Sequence, residues 1–447
     1  MSDYDTICAI STALGKSAIN IIRVSGSDSI RLVSSILKGI DLSKKAGGTI
    51  SLARIYDKDE MLDEVLVSLF KAPKSYTKED IVEINTHGGI YVTERVLELL
   101  IEKGCRLAEP GEFTKRAFLN GRIDLSKAES VMDMIEAETK RSLSLANKGL
   151  KGDVYKEVSA LRKNIEEILL HITVNIDYPE YTDELIVSTD LCINKTDELI
   201  KLMDNTIKSA QNQRVYKEGI KTAIIGKPNV GKSSLLNKLL KEDKAIVTNI
   251  KGTTRDIVEG ELNMNGIILH LIDTAGIRKT DDPIEKIGID KTMGALNEAE
   301  LVILMLDHES GITKEDLELI KLTENKNRII VANKSDLNNM VFSLDYIDVS
   351  VLKDEGIDLL KEKIHDMFIK EEDKSTYTAI SSSRHISLLK KAMESLLIAN
   401  NAAKNGDFLD MVAIDLKSAY DSLGLIIGET SSDTLINELF MKFCLGK

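Results

Sequence analysis

The sequence predicts an α/β and α multidomain protein with a doubly wound, mostly parallel sheet in its middle part. Between about residues 216 and 372, short apolar runs alternate with helical stretches. The N-terminal part carries four β-like runs and one helix. On both sides of the middle part, apolar residues recur at helical spacing. A length of 447 residues agrees, since it suits two to four domains.

In chain order, the β-like runs lie at 5–10, 17–24, 64–70 and 81–86, with a helix near 91–103. Val154, Val158, Leu161, Ile165, Ile168 and Leu169 form one apolar stripe. Tyr178-Pro179-Glu180 should break that helix before a segment from about 189. In the middle, strands are expected at Ile220–Ile225, in GIILHLID and in RIIVANK, and helices near 284–298, 313–325 and 356–370. Ile386, Leu388, Leu389, Met393, Leu396 and Leu397 form a second stripe. Both stripes read as helix-packing core rather than a ligand box.

Composition narrows the class. Hydrophobic content of 43% with 29% charged residues is ordinary for a soluble globular protein, and no segment has the apolar length to span a bilayer. MSDYDTICAI carries acids and no basic region, unlike a secretory signal. Cys8, Cys105, Cys192 and Cys444 lie far apart with no C-x-x-C pair, which argues against a disulfide framework or zinc site and fits a reducing cytosol. The ending MKFCLGK makes a poor prenylation box, because Gly446 is not aliphatic and no polybasic run precedes it. The net charge of −13 speaks against a broad nucleic-acid-binding face. RNA would be held by a local patch or by a partner.

KTAIIGKPNVGKSSLLNKLL places G-x-x-x-x-G-K-S, Gly226 to Ser233, between a strand and a helix. A chance match in a chain of this length is expected roughly 2% of the time. Backbone N–H groups of Asn229, Val230, Gly231 and Ser234 and the helix N-terminus suit phosphate oxygens. Lys232 would reach the β and γ phosphates, and Ser233 would ligate Mg²⁺. The plainer alternative is a glycine turn between strand and helix.

Three later stretches decide against that turn. In IDTAG, Asp273 can hold the Mg²⁺ shell, followed by Thr274, Ala275 and Gly276. GTTRD supplies Thr254 for Mg²⁺ and the γ-phosphate. NKSD, with Asn333, Lys334 and Asp336, follows a strand, and the Asp336 carboxylate can accept two hydrogen bonds from guanine, which adenine cannot offer. The nucleotide is therefore GTP. Ser350-Val351-Leu352 stands at the fifth guanine-loop position, with Val where Ala is commoner.

Ile277 follows the switch glycine where Ras-like enzymes place a water-orienting Gln, so another group must position the water. Asn229 resembles the asparagine of potassium-dependent GTPases, in which K⁺ supplies the charge of an arginine finger. Thr248, Ile250 and Thr253 would complete that ion's shell; the alternative is a plain switch loop. Glu285 could hold the water through a bridging water, or be an exposed helix carboxylate.

EPGEFTKRAFLNGRIDLSKAES, DTICAISTALGKSAINIIRVSG, INTHGG and the FCLGK tail, taken with these motifs, closely resemble the tRNA-modification GTPase family MnmE, also called TrmE, over the whole chain. The resemblance implies an N-terminal folate-binding-like and dimerisation domain over 1–118. It implies a discontinuous helical domain over 119–212 and 373–447, with the GTPase domain, 216–372, inserted. It carries a tetrahydrofolate site onto Arg23, Glu83, Arg122 and Lys447. Arg122 replaces the more usual lysine, which keeps the charge and alters the contact geometry. Without the resemblance, Arg23 and Glu83 read as surface ion-pair members.

The resemblance further implies a cytoplasmic homodimer that hydrolyses GTP with Mg²⁺ and K⁺. Its partner would be an FAD- and NADH-using flavoprotein (MnmG, or GidA). Together they would add a carboxymethylaminomethyl group to C5 of the wobble uridine of certain tRNAs, using a 5-formyl- or methylene-tetrahydrofolate one-carbon unit. Cys444 would be a catalytic thiol there, with a buried structural thiol as the alternative. Two other classes remain: a ribosome-assembly GTPase acting as a timer, which would need a basic RNA-binding appendage, and a membrane-associated GTPase, which would need an anchor.

Overall fold

The computed structural model describes residues 5–177, 182–242, 258–264, 266–272, 294, 296–337, 340–369, 378–429, 431–444 and 446. The chain forms two compact units, one of Met1–Met132, Leu150–Arg162 and Tyr420–Lys447, the other of Asp133–Gly149 and Lys163–Ala419.

The first unit is built on a seven-stranded sheet. Its strands are β1 (Ile7–Ile10), β2 (Ile19–Ser25), β3 (Leu37–Lys38), β4 (Thr49–Asp57), β5 (Glu60–Phe70), β6 (Ile81–His87) and β7 (Arg106–Leu107), in the order β3-β4-β5-β6-β2-β1-β7. Neighbours run antiparallel except β1 and β7. Alternation sends Ile22, Val24, Val65, Val67, Val82 and Ile84 to one face, where Leu32 and Val33 of α1 (Ser29–Ser34) and Val96, Leu99 and Leu100 of α2 (Ile90–Glu102) cover them. The four expected runs and the helix all form. The sequence did not flag β4, because TISLARIYD is apolar on both faces. Ala53 and Ile55 are buried, whereas Ile50 and Leu52 point to solvent.

Cys8 and Cys105, distant in sequence, are neighbours in this core as free thiols. The Cys105 thiol and burial push the Cys8 thiol up. Helices α3 (Glu112–Leu119) and α4 (Leu125–Glu136) share a small core with the C-terminal helix: Leu125, Ala128, Met132, Ile436, Phe440 and Phe443. In the helix Asp153–Asp177 the first stripe is buried apart from a half-buried Leu169.

The second unit holds a six-stranded sheet in the order Ile347–Val349, Arg328–Asn333, Leu301–Asp307, Ile220–Ile225, Ile267–Ile272, Val258–Met264. It is parallel except for the last strand. Ile224, Ile303, Met305 and Val331 meet Leu235, Leu239, Ile357 and Leu360 of the helices Lys232–Glu242 and Ile357–Phe368 on one face. Ala223, Ile225, Val302 and Leu304 meet Leu319 and Ile320 of the helix Lys314–Leu322 on the other. Helices on both faces define a doubly wound sheet.

The expected break at Tyr178-Pro179-Glu180 lies outside the described residues, as does most of the helix expected near 284–298. The next helix begins at Thr182, earlier than the expected 189, and runs to Glu218. It packs along Ser383–Asn405, where Ile386, Leu389, Ala392, Leu396, Ala399 and Ala403 are buried. Leu388 and Met393 are only half-buried and Leu397 is exposed, because alanines occupy the tight helix–helix seam. Among the described residues no helix is long and apolar enough to cross a membrane.

Candidate functional site

The strand Ile220–Ile225 delivers the chain into the loop at Gly226 with its core side buried, and the helix after the loop starts at Lys232. Val230 is fully buried and plugs the loop into the sheet. Gly231 has φ +101°, and a Cβ there would come within 2.2 Å of Asn333 Nδ2. Only glycine permits that approach. Asn229 stands exposed at φ +64°, and Ser233 and Ser234 follow on the first helical turn. Lys232 Nζ donates to the carbonyls of Gly226, at 2.5 Å, and Lys227, at 2.8 Å, so it folds back over its own loop. Burial lowers the Lys232 pKa, because the charged form loses water.

Asn333 Nδ2 donates to Val230 O at 2.8 Å, and its Oδ1 accepts from Val351 N at 3.3 Å. One buried side chain thus ties the phosphate loop to the fifth guanine-loop segment. Ser350 Oγ donates to Asp336 Oδ1 at 2.7 Å, and this hydrogen bond holds the Asp336 carboxyl below its usual range. Lys334, at φ +64°, is held by Asp307 at 2.9 Å and Glu309 at 3.0 Å, which keep it charged. Sequence reasoning missed these two acids, of which Asp307 ends the strand LVILMLD and Glu309 lies in the turn after it. It also missed Lys227, whose Nζ meets the fully buried Asp316 at 3.0 Å. Thr248, Ile250, Thr253, Thr254, Asp273, Thr274, Ala275, Gly276 and Glu285 lie outside the described residues.

A second constellation lies in the first unit, on the sheet face away from α1 and α2. Arg23 and Glu83 are register partners on β2 and β6, and Arg23 Nε meets Glu83 Oε1 at 2.8 Å. The Arg23 guanidinium lies 5.6 Å from the Phe113 ring centroid and 5.7 Å from that of Tyr76; Arg122 lies 4.7 Å from Tyr76. The C-terminal tail reaches the same place. Phe443 is buried against Phe440, with ring centroids 5.0 Å apart, and the Cys444 carbonyl accepts from Gly111 N at 3.3 Å. Gly446 O accepts from Ser11 Oγ at 3.1 Å and from Arg23 Nη1 at 3.4 Å. Cys444 is exposed; Lys447 lies outside the described residues. Arg23, Glu83 and the tail therefore share one place, and Arg122 joins them through Tyr76. Tyr76 carried no sequence signal, and Phe113 lies in the EPGEF stretch without a role that the sequence alone gives it.

The N-terminal model of "GTP-binding protein TrmE" matches residues 6–122, and the "MnmE helical domain" model matches residues 125–444. The tRNA modification GTPase MnmE of Lactococcus lactis subsp. cremoris is 48% identical over 100% of this chain and 99% of its own. The chain belongs to the MnmE (TrmE) family. The MnmE of Streptococcus thermophilus is 47% identical over the same shares, 100% and 99%. Among solved structures, the G domain of the T. maritima FeoB iron transporter covers 33% of this chain and 98% of its own length. It is 30% identical, with a TM-score of 0.25. With the MnmE family assigned, the expected α/β multidomain fold class stands.

Proposed function

We propose that this MnmE-family chain is a potassium-dependent GTP hydrolase acting in tRNA modification. With a flavoprotein partner (MnmG, GidA) it would add a carboxymethylaminomethyl group to C5 of the wobble uridine. One observation carries the tRNA-modifying half: the C-terminal tail is seated beside the Arg23–Glu83 pair through Gly446 O, two residues beyond the exposed Cys444. A ribosome-assembly timer has no use for that arrangement.

The residues fit the groups they would hold. A bound tetrahydrofolate derivative supplies the one-carbon unit. Arg23, Arg122 and Lys447 offer cations for its glutamyl tail and Glu83 an acceptor for its pterin edge, while Tyr76 and Phe113 give flat apolar walls. At the nucleotide, Ser233 and Thr254 would hold Mg²⁺, and Asn229, Thr248, Ile250 and Thr253 would hold K⁺. Glu285 would position water, and Asp336 would select guanine. The division into residues 1–118, 119–212 with 373–447, and 216–372 belongs to the same reading. So do a cytoplasmic location and a homodimer, for which Leu52 and Leu66 form an exposed apolar cross-strand pair beside Ile50.

GTP turnover in K⁺ and in Na⁺ at matched ionic strength tests the hydrolase half. Turnover at least roughly tenfold faster in K⁺ is expected, since the ion replaces a positive charge at the transition state. Equal turnover would refute the cation's role.

A further inference from the structure

The second unit contains a cavity of about 350 Å³ whose lining is strongly basic: Lys140, Arg141, Ser144, Leu145, Lys148 and Gln213. Five come from the helix α5 (Lys140–Leu150), and Gln213 comes from the helix Thr182–Glu218. Lys140, Ser144 and Lys148 recur at every fourth residue, so they share one helix face over roughly 12 Å. Arg141 is fixed by its neighbour, its guanidinium 3.9 Å from the Tyr216 ring centroid. Gln213 is almost fully buried, at 2% exposure, and still lines the cavity. Among the described residues no carboxylate lines it, and every polar group there can donate a hydrogen bond. In a chain of net charge −13 such a concentration of cations is anomalous.

We propose that this cavity seats backbone phosphates of an RNA. The row of cations is longer than one phosphate, which favours a strand over a free ion. Phosphate contacts from Lys and Arg position RNA without reading its sequence. The location gives such contacts a purpose. Leu145, on the same helix, is buried in the nucleotide sheet's core with Val215, Tyr216 and Ile220, the residues that lead into the phosphate loop. RNA on α5 is thereby held against the root of the GTP site. The assignment rests on the tRNA reading above.

The test is filter binding of a tRNA transcript to the full chain across a salt series, with wild type, Lys140→Ala/Lys148→Ala and Lys148→Arg. The double variant should bind roughly ten- to a hundredfold more weakly at 0.1 M salt, with a salt slope shallower by about two, as expected for two lost phosphate contacts. Lys148→Arg should keep wild-type affinity, and GTP turnover without RNA should be unchanged in all three. Unchanged tRNA binding by the double variant overturns the proposal. It is equally overturned if the double variant loses only inorganic phosphate binding. A wild-type chain that retains no tRNA at any salt overturns this proposal together with the RNA half of the functional reading, and leaves GTP hydrolysis standing.

Discussion

Gly446→Ala should detach the C-terminal tail while leaving the rest of the protein folded. Gly446 has φ +85°, in the left-handed region, where an alanine costs about 1–2 kcal/mol. Its new Cβ would sit 2.4 Å from Ile10 O and 2.9 Å from Ser11 Cα, well inside carbon contact distance. Both contacts are to backbone of the first strand and its exit, which cannot move aside. The tail must lift, losing the Ser11 Oγ bond at 3.1 Å and the Arg23 Nη1 bond at 3.4 Å, together about 1–2 kcal/mol net. The backbone strain of about 1–2 kcal/mol acts on the docked tail alone and lowers its docked fraction by a factor of roughly 5 to 30, which the Cβ clash lowers further. Phe443, anchored on Phe440 three residues earlier, should hold the C-terminal helix in place. Calorimetric titration with 5-formyltetrahydrofolate is the assay, with GTP turnover and exchange of the Gly111 amide, bonded to Cys444 O, as companions. Folate affinity should fall at least roughly tenfold, Gly111 exchange should quicken, and turnover should hold. Wild-type folate affinity with a demonstrably lifted tail would refute the placing of the tail in the folate site.

The remaining expectations concern the second unit. Burial and the neighbouring Glu261 carboxylate push the Glu138 carboxyl up to about 7. The folded chain therefore keeps a proton that the unfolded chain releases near its ordinary 4.5, and stability present below that value is lost as pH rises through about 7. Glu138→Gln should raise the urea midpoint at pH 8 by about 1 kcal/mol equivalent, discounted for solvent screening, with little gain at pH 5; equal gains would refute the coupling. Asp336→Asn should weaken GTP binding at least roughly a hundredfold and improve xanthosine triphosphate binding, because an amide offers one acceptor and one donor where guanine needs two acceptors. Competitive nucleotide binding checks this, and retained guanine preference would contradict it.

The legible parts of the sequence were those whose chemistry is local. GKPNVGKSS announces its strand–loop–helix within twenty residues, because glycine spacing and helix onset are adjacent. Long periodic helices were legible for the same reason. The two-faced β4 carries no clean alternation and was not; the edge strand VEGELNM does alternate, with Leu262 and Met264 buried, and was still missed. Pairings across the chain were hidden as well. Asn333 reads as a nucleotide contact, yet here it binds Val230 and Val351; Lys334 gains Asp307 and Glu309 only through parallel strand pairing. Arg23 and Glu83 become partners through the β2–β6 register, and the walls of Tyr76 and Phe113 follow from the fold, since Tyr76 lies in no motif and Phe113, inside EPGEF, shows no role there.

The most direct test is mass spectrometry of tRNA nucleosides from cells lacking this chain, complemented with wild type or Cys444→Ser. Deletion should remove the carboxymethylaminomethyl group from wobble uridine and wild type should restore it. Cys444→Ser should not restore it, although the purified variant hydrolyses GTP normally. Intact modification in the deletion, or full restoration by Cys444→Ser, would contradict the account.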